Sequence, residues 1–212
     1  MGDIARSVAV PLERTALQSA EEVELVAELK AGSEDAFAYL LGVYRNPIYN
    51  TVYHILGNDA DAADAVQNVF LKIIRSVKQF HHESSLKTWI YRIAVHEALN
   101  SRRSWFRRRR REAFSLDEMP TDQPARASLE NEQPRTPYEL LEASERREKV
   151  ARALHSLAEP YRTAVVLREV ESLTYEEITA ILGVAEGTVK SRLKRGRELL
   201  RRKLSEPATR WR

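Results

Sequence analysis

TYEEITAILG (Thr174 to Gly183), followed by VAEGTVKSRLKRGRELLRRKL (Val184 to Leu204), is the stretch that decides how this chain folds. Thr174 with Glu177 three residues on is a capping box, in which hydroxyl and carboxylate each satisfy an amide that the first helical turn leaves without a partner. Ile178, Ile181 and Leu182 recur on one helical face. Gly183 ends the helix, because glycine takes the left-handed conformation without a Cβ penalty. After a short turn a second helix carries Val189, Leu193, Leu200 and Leu204 on one stripe. Gly196 stands in that stripe, where close approach of another helix requires a small residue. The other faces carry Lys190, Arg192, Lys194, Arg195, Arg197, Arg201 and Arg202. Capped helix, glycine turn and cationic helix form the pattern that lays one helix into the major groove of DNA. A basic amphipathic helix also suits a membrane surface or a calmodulin target. Against both stand the capped partner helix upstream and an apolar face without the Trp or Phe that would anchor in a bilayer.

Working outward, 212 residues of which 43% are hydrophobic suit one folded domain or two small ones. The formal charge of +3 conceals clustering. Arg102, Arg103 and the run Arg107 to Arg111 form one basic block, the C-terminal helix forms another, and acidic residues concentrate between them. Such blocks are the footprint of a polyanion partner. The chain has no cysteine, which excludes disulfides and Cys-based zinc sites and fits a reducing compartment. Val8, Ala9 and Val10 before Pro11 fall short of a signal peptide's apolar core, and no apolar run could span a bilayer. The expectation is a cytoplasmic protein without membrane insertion.

From Glu21 the apolar positions recur at helical spacing: Val23, Val26, Leu29, then Phe37, Leu40, Leu41, Tyr44, Ile48, Val52, Ile55 and Leu56, with Gly32, Gly57 and Asn58 as helix ends. A further helix places Val66, Val69, Phe70, Ile73, Ile74 and Val77 on its inner side. Phe80 to Leu86 is a polar loop, after which Trp89, Ile90, Ile93, Ala94 and Leu99 open a helix that runs into the arginine block. No stretch keeps a period of two, so the chain reads as all-α. Pro120, Pro124, Pro134 and Pro137 among Asp117, Glu118, Asp122, Glu130 and Glu132 mark an extended acidic linker. The expected organisation is a flexible arm at 1–20, a helical domain at 21–111, a linker at 112–142, a second helical domain at 143–205 and a tail at 206–212.

Catalysis and metals find no support. His54, His81, His82, His96 and His155 follow no ligand spacing. Asp59 to Asp64 lacks the glycine of a calcium loop and has Phe70 where the bidentate Glu belongs. No nucleophile pairs with a base. The chain is therefore expected to be no enzyme and to need neither cofactor nor metal.

Two separated patterns, in order, resemble the sigma factors of bacterial RNA polymerase, specifically the small extracytoplasmic-function (ECF) branch. One is Asp61-Ala-Ala-Asp-Ala-Val-Gln-Asn-Val-Phe-Leu-Lys72, then Phe80 and Leu86-Lys-Thr-Trp-Ile-Tyr-Arg-Ile-Ala94; the other is Leu167-Arg-Glu169 with Leu173-Thr-Tyr-Glu-Glu-Ile178 and Leu182 to Leu193. The resemblance implies two modules, sigma region 2 and sigma region 4. The first would bind the β′ clamp helices of core RNA polymerase through Asp61, Asp64, Gln67, Asn68, Phe70, Leu71 and Lys72. It would also capture the melted −10 strand of promoter DNA through Ser84, Ser85, Leu86, Lys87, Trp89, Tyr91, Arg92, His96, Asn100 and Arg103, by base stacking and backbone cations. The second would dock on the β flap and read the −35 duplex through Arg168, Tyr175, Glu186, Thr188, Lys190, Ser191, Arg192, Lys194, Arg195 and Arg197, Arg and Lys donating to guanine O6 and N7. The resemblance further implies an anti-sigma factor as partner and a linker threaded into the RNA channel. Three positions depart from the family's habit: Asn68 where an acid is usual, His96 where asparagine is common, and Ala185 where proline or serine would precede the recognition helix. Rival readings are a helix-turn-helix regulator working without polymerase, which leaves the Asp61 to Ala94 pattern unexplained, and a recombinase, which requires a serine or tyrosine nucleophile among clustered arginines.

Overall fold

In a computed structural model, the described residues are 12–112 and 137–205, with side chains described over 20–104 and 144–205. They form eight α-helices and no strand: α1 Leu12–Ala31, α2 Glu34–Leu56, α3 Asp59–Ser76, α4 Leu86–Glu112, α5 Pro137–His155, α6 Glu159–Val165, α7 Tyr175–Leu182 and α8 Glu186–Ser205. One π-helical turn, Val166–Val170, joins α6 to the loop before α7. The helical class expected from periodicity is the class found. The first helix begins at Leu12, well ahead of the start expected near Glu21, because Leu12 to Ala20 is made of residues compatible with helix and its short apolar period is hidden by polar side chains. The rest of the expected arm, most of the linker and the tail lie outside the described residues.

Local chemistry sets the helix limits. Ser33 and Asn58 cap α2 and α3, their side-chain oxygens accepting from the amides of Ala36 at 3.2 Å and Asp61 at 2.9 Å. Ser85 does the same for α4, its hydroxyl accepting from the Thr88 amide at 3.1 Å. The capping box of α7 is complete: Thr174 Oγ1 accepts from the Glu177 amide at 3.2 Å, and Glu177 Oε2 from the Thr174 amide at 2.7 Å. Gly183 closes α7 at φ 63°, in the left-handed region.

The first module is α2, α3 and α4 around Ile48, Val52, Ile55, Ala62, Val69, Ile73, Ile90, Ala94 and Ala98, with α1 laid along α2. The Leu86 amide donates to Glu22 Oε1 at 2.8 Å, tying the start of α4 to α1. Three positions expected to face inward do not: Ile74 is 49%, Val23 54% and Leu41 39% exposed. Ile74 sits one residue past the buried Ile73, a 100° step that carries it off the inner face. In the second module Leu154, Leu157, Val165, Val166, Leu167, Leu173, Ile178, Ile181, Val189 and Leu193 are buried.

The modules pack on each other, α4 against α7 and α2 against α5, α6 and the π turn. Glu171, just after the π turn, is the polar centre of this interface. Tyr91 of α4 donates its hydroxyl to Glu171 Oε2, and Thr51 of α2 lies 2.6 Å from Oε1. Thr51 Oγ1 is also 3.0 Å from the Pro47 carbonyl, but it has one hydrogen, and the charged, closer carboxylate is the stronger acceptor. Burial, followed by the Glu171 carboxylate, pushes the Tyr91 phenol well above its ordinary pKa, so it remains a donor. Nearby, Tyr53 meets the His155 ring edge-on at 5.7 Å, and Arg102 faces Glu159 at 3.9 Å.

Helix α8 meets α6 at Gly196, where an added Cβ would lie 2.6 Å from Val165 Cγ2 and 3.2 Å from the Tyr161 carbonyl oxygen. Val165 is buried and β-branched, so its methyl cannot swing away cheaply. Gly196→Ala should therefore lower the thermal midpoint, the overpacking cost of about 1–3 kcal/mol exceeding the gain of about 1 kcal/mol in helix propensity. Gly187→Ala, with open space around the added carbon, should raise it. Melting curves followed by circular dichroism check both signs; a rise for Gly196→Ala contradicts the close approach.

Candidate polymerase and nucleic-acid interfaces

Three surfaces carry most of the residues expected from sequence. The first lies on α3. Asp64, Gln67, Asn68, Leu71 and Lys72 are exposed and Asp61 half-buried. Phe70 is only 9% exposed and helps floor an apolar groove of about 360 Å³ lined also by Leu41, Arg45, Tyr49, Ala63 and Ile74. Leu41 and Ile74, missed in the sequence because helical periodicity assigns them to the core, are the groove's exposed apolar rim. Tyr49 donates its hydroxyl to Asp59, and burial together with that bond raises its pKa. Lys72 forms an ion pair with Glu97 of α4, so its amine is committed within the module.

The second surface follows the loop before α4 and the outer face of α4. Arg92, His96, Asn100 and Arg103 fall at successive spacings of four, four and three, one stripe along the helix. His96 is held below its ordinary pKa first by partial burial, then by Arg92, Arg103 and Lys72 around it. Trp89 is half-buried and stacks obliquely on Phe80, ring centroids 5.3 Å apart, and Phe80 meets His82 at 4.8 Å. This aromatic cluster beside a cationic stripe was only half legible: His82 and Phe80 come from a loop whose sequence reads as polar. Lys87 lies over the Tyr91 ring at 5.9 Å. Leu86 is 1% exposed and Tyr91 2%, so the structure seats both in the interior instead of on this surface, Tyr91 facing the second module. Ser84 stays partly open, whereas Ser85 is engaged as the helix cap and with Thr88 Oγ1 at 2.8 Å.

The third surface is the outer side of α8 with the approach to α7. Lys190, Ser191, Lys194, Arg195 and Arg197 are exposed, and Thr188 and Arg192 half-exposed. Ser191 donates its hydroxyl back to the Thr188 carbonyl at 2.9 Å. Carboxylates stand beside three of the cations: Glu186 at 2.5 Å from Lys190, Glu198 at 3.5 Å from Arg195, and Glu169 at 2.6 Å from Arg197. Arg168, on the π turn, donates to the Leu173 carbonyl at 2.6 Å and stacks on Tyr175. Ala185 precedes α8 and contributes only its carbonyl, which accepts from the amides of Thr188 at 2.8 Å and Val189 at 3.2 Å. Among the described residues no group of His, Asp and Glu could hold a metal ion, and no helix is long and apolar enough to cross a membrane.

Two helical modules, one ending in a cationic helix-turn-helix and the other bearing an aromatic and cationic stripe, define a two-module nucleic-acid-binding protein. The chain matches the family "Sigma-70 region 2" over residues 40–112 and "Sigma-70, region 4" over residues 147–200. It is 34% identical over 180 residues to the ECF RNA polymerase sigma-E factor of Haemophilus influenzae, covering 85% of this chain and 93% of that protein. To the ECF RNA polymerase sigma factor SigW of Bacillus subtilis it is 30% identical over 192 residues, covering 85% and 95%. Among solved structures, the sigma factor RpoE in complex with the anti-sigma factor NepR from Bartonella quintana superposes with a TM-score of 0.63 at 25% identity, over 79% of this chain and 96% of that one. CnrH in complex with the cytosolic domain of CnrY shares the fold, with a TM-score of 0.61 at 20% identity over 86% and 96%. The chain belongs to the ECF sigma factors of the sigma-70 family, and is an alternative sigma factor that directs promoter-specific transcription.

Proposed function

We propose that residues 21–111 bind core RNA polymerase and capture the melted −10 strand, that residues 143–205 read the −35 duplex, and that 112–142 join the two. The observation that carries this reading is the pairing, in one chain, of a cationic recognition helix with an aromatic platform flanked by a cationic stripe. Duplex reading needs donors on a helix narrow enough for the major groove, as on α8; a melted strand needs ring faces and phosphate partners, as along Trp89, Arg92, His96, Asn100 and Arg103. The apolar groove with Asp64, Gln67 and Leu71 suits protein better than DNA, because Asp59, Asp61 and Asp64 beside it repel phosphate. We assign it to the β′ clamp helices, and the second module's remaining surface to the β flap. Catalysis belongs to the polymerase; this chain performs no covalent chemistry and works in the cytoplasm. An anti-sigma factor as regulator follows from the solved RpoE complex, whose partner is one.

Engaging both elements at once requires the modules to part. Their names place the elements roughly 25 base pairs apart, about 85 Å of B-DNA. Helix α8, with 20 residues, is about 30 Å long, and the module carrying it packs directly on α2 and α4. The bonds of Thr51 and Tyr91 to Glu171 would then break on promoter binding, which also frees Tyr91 for the −10 strand.

Run-off transcription with purified core polymerase tests the reading as a whole: promoter-dependent transcripts are expected, and duplex binding without transcription would favour a polymerase-independent regulator. Arg195→Ala should reduce −35 recognition by about 1–3 kcal/mol while core binding is retained; equal loss of both would make the helix merely structural. Asp64→Ala with Gln67→Ala should reduce co-purification with core, and unchanged recovery would rule out the α3 surface. For Glu171→Ala, losing bonds to a charged acceptor worth about 1.5–3 kcal/mol each should open the modules, seen as a larger radius of gyration in X-ray scattering; an unchanged radius contradicts the role given to Glu171.

A further inference from the structure

Three cations assigned to −35 reading, one from the π turn and two from α8, converge on one side chain. The Arg168 guanidinium, carried by the π turn, lies 5.1 Å from the centroid of the Tyr175 ring. The Lys190 amine, from the first turns of α8, lies 5.8 Å from the same centroid. Both are within the distance at which a ring's quadrupole attracts a cation. Arg197, seven residues beyond Lys190 on the same face, donates from Nε to Glu169 at 2.8 Å. Its pKa is held up first by Glu169 and further by the Tyr175 hydroxyl against it. Tyr175 is itself fixed at the first position of α7 by the capping box of Thr174 and Glu177.

We propose that Tyr175 is a positioning residue for −35 reading, its ring seating Arg168 and Lys190 at a set spacing and orientation toward the major groove. The proposal rests on the assignment of α8 and Arg168 to the −35 duplex. Each cation has a second tether, Arg168 the Leu173 carbonyl and Lys190 the Glu186 carboxylate, so ring and tether together fix two long side chains that would otherwise repel each other and sample solvent. A rigid ring ordered before binding lowers the entropy that DNA contact would have to overcome. The arrangement assigns to Tyr175 base discrimination through its neighbours, in contrast to a direct bond from its hydroxyl to DNA.

The test uses holoenzyme assembled from the full chain and core polymerase, with duplexes carrying a fixed −10 segment and a randomised six-base-pair −35 segment, the bound fraction being sequenced. The wild-type chain is expected to enrich a defined upstream motif, and Arg168→Met and Lys190→Met identify the positions each cation reads. Tyr175→Leu should lose about tenfold discrimination at those same positions and leave the remainder unchanged, the size of one good base contact. Tyr175→Phe, which keeps the ring, should stay within about twofold of wild type. Tyr175→Gln is made alongside, since a polar side chain at this half-exposed first-turn position preserves the helix should leucine disturb it. Wild-type preference in either folded ringless variant overturns the proposal. So does a Tyr175→Phe loss equal to that of Tyr175→Leu, which would make the hydroxyl the acting group, or a loss spread evenly over all positions, which would indicate a purely structural role. If the wild-type chain enriches no upstream motif while the −10 segment still supports transcription, it is the −35 assignment that fails.

Discussion

The close seat of α8 on α6 is the constraint on which the rest of the second module depends. A helix can present lysines and arginines outward on most of its circumference only if its remaining stripe is buried well enough to hold it in place. Here that stripe is Val189, Leu193 and Gly196. The absent Cβ at Gly196 lets the helix axis approach until Val165 and the Tyr161 backbone fill the space. This contact sets how α8 projects from the module, and so fixes where its cations stand relative to Arg168 on the π turn. A wider π turn at that point shifts the register between α6 and the α7 capping box, with Glu171 donating its amide to the Val166 carbonyl at 3.2 Å.

Helix α4 faces a conflict that α8 does not. Its inner side supplies Leu86, Ile90, Ala94 and Ala98 to the first module's core, its outer stripe carries Arg92, His96, Asn100 and Arg103, and Tyr91 lies against the second module. One helix thus supplies core, a cationic outer stripe and a domain interface. The interface is polar where it matters: a carboxylate held by two hydroxyls is specific in geometry, yet water can replace both donors once the surfaces part. These bonds sit within apolar packing, since the buried side chains of the two modules form one continuous cluster, so the carboxylate fixes the geometry of a closed arrangement that apolar contact helps to hold.

Periodicity revealed the helical class, the two modules, the capping box and the Gly196 contact, because each of these is written in local spacing. What it missed depends on which side of a helix meets which neighbour. Ile74 and Leu41 look like core residues in a one-dimensional pattern, yet they rim the α3 groove because their own module leaves that face uncovered. Leu86 and Tyr91 fit the family's −10 positions by sequence, but are buried in this arrangement. Phe80 and His82, in a loop that reads as solvent-facing, complete the aromatic cluster with Trp89. Glu171 could not be singled out at all, since its partners lie 120 and 80 residues away in the chain.

The carboxylates among the cations of α8 then acquire a physical sense. Glu186, Glu198 and Glu169 each stand beside a cation assigned to DNA, in pairs whose side chains are 43–59% exposed. Exposed pairs of this kind contribute only about 0–1 kcal/mol, so a phosphate or a guanine edge can displace the carboxylate at little cost. Until then they hold the long side chains extended and offset part of their mutual repulsion. Arg192 and Lys194 have no carboxylate partner among the described residues. Under the proposed −35 reading, the cations of this one helix fall into two sets: those held in place beforehand by neighbours, suited to base edges, and those without such a partner, suited to phosphates.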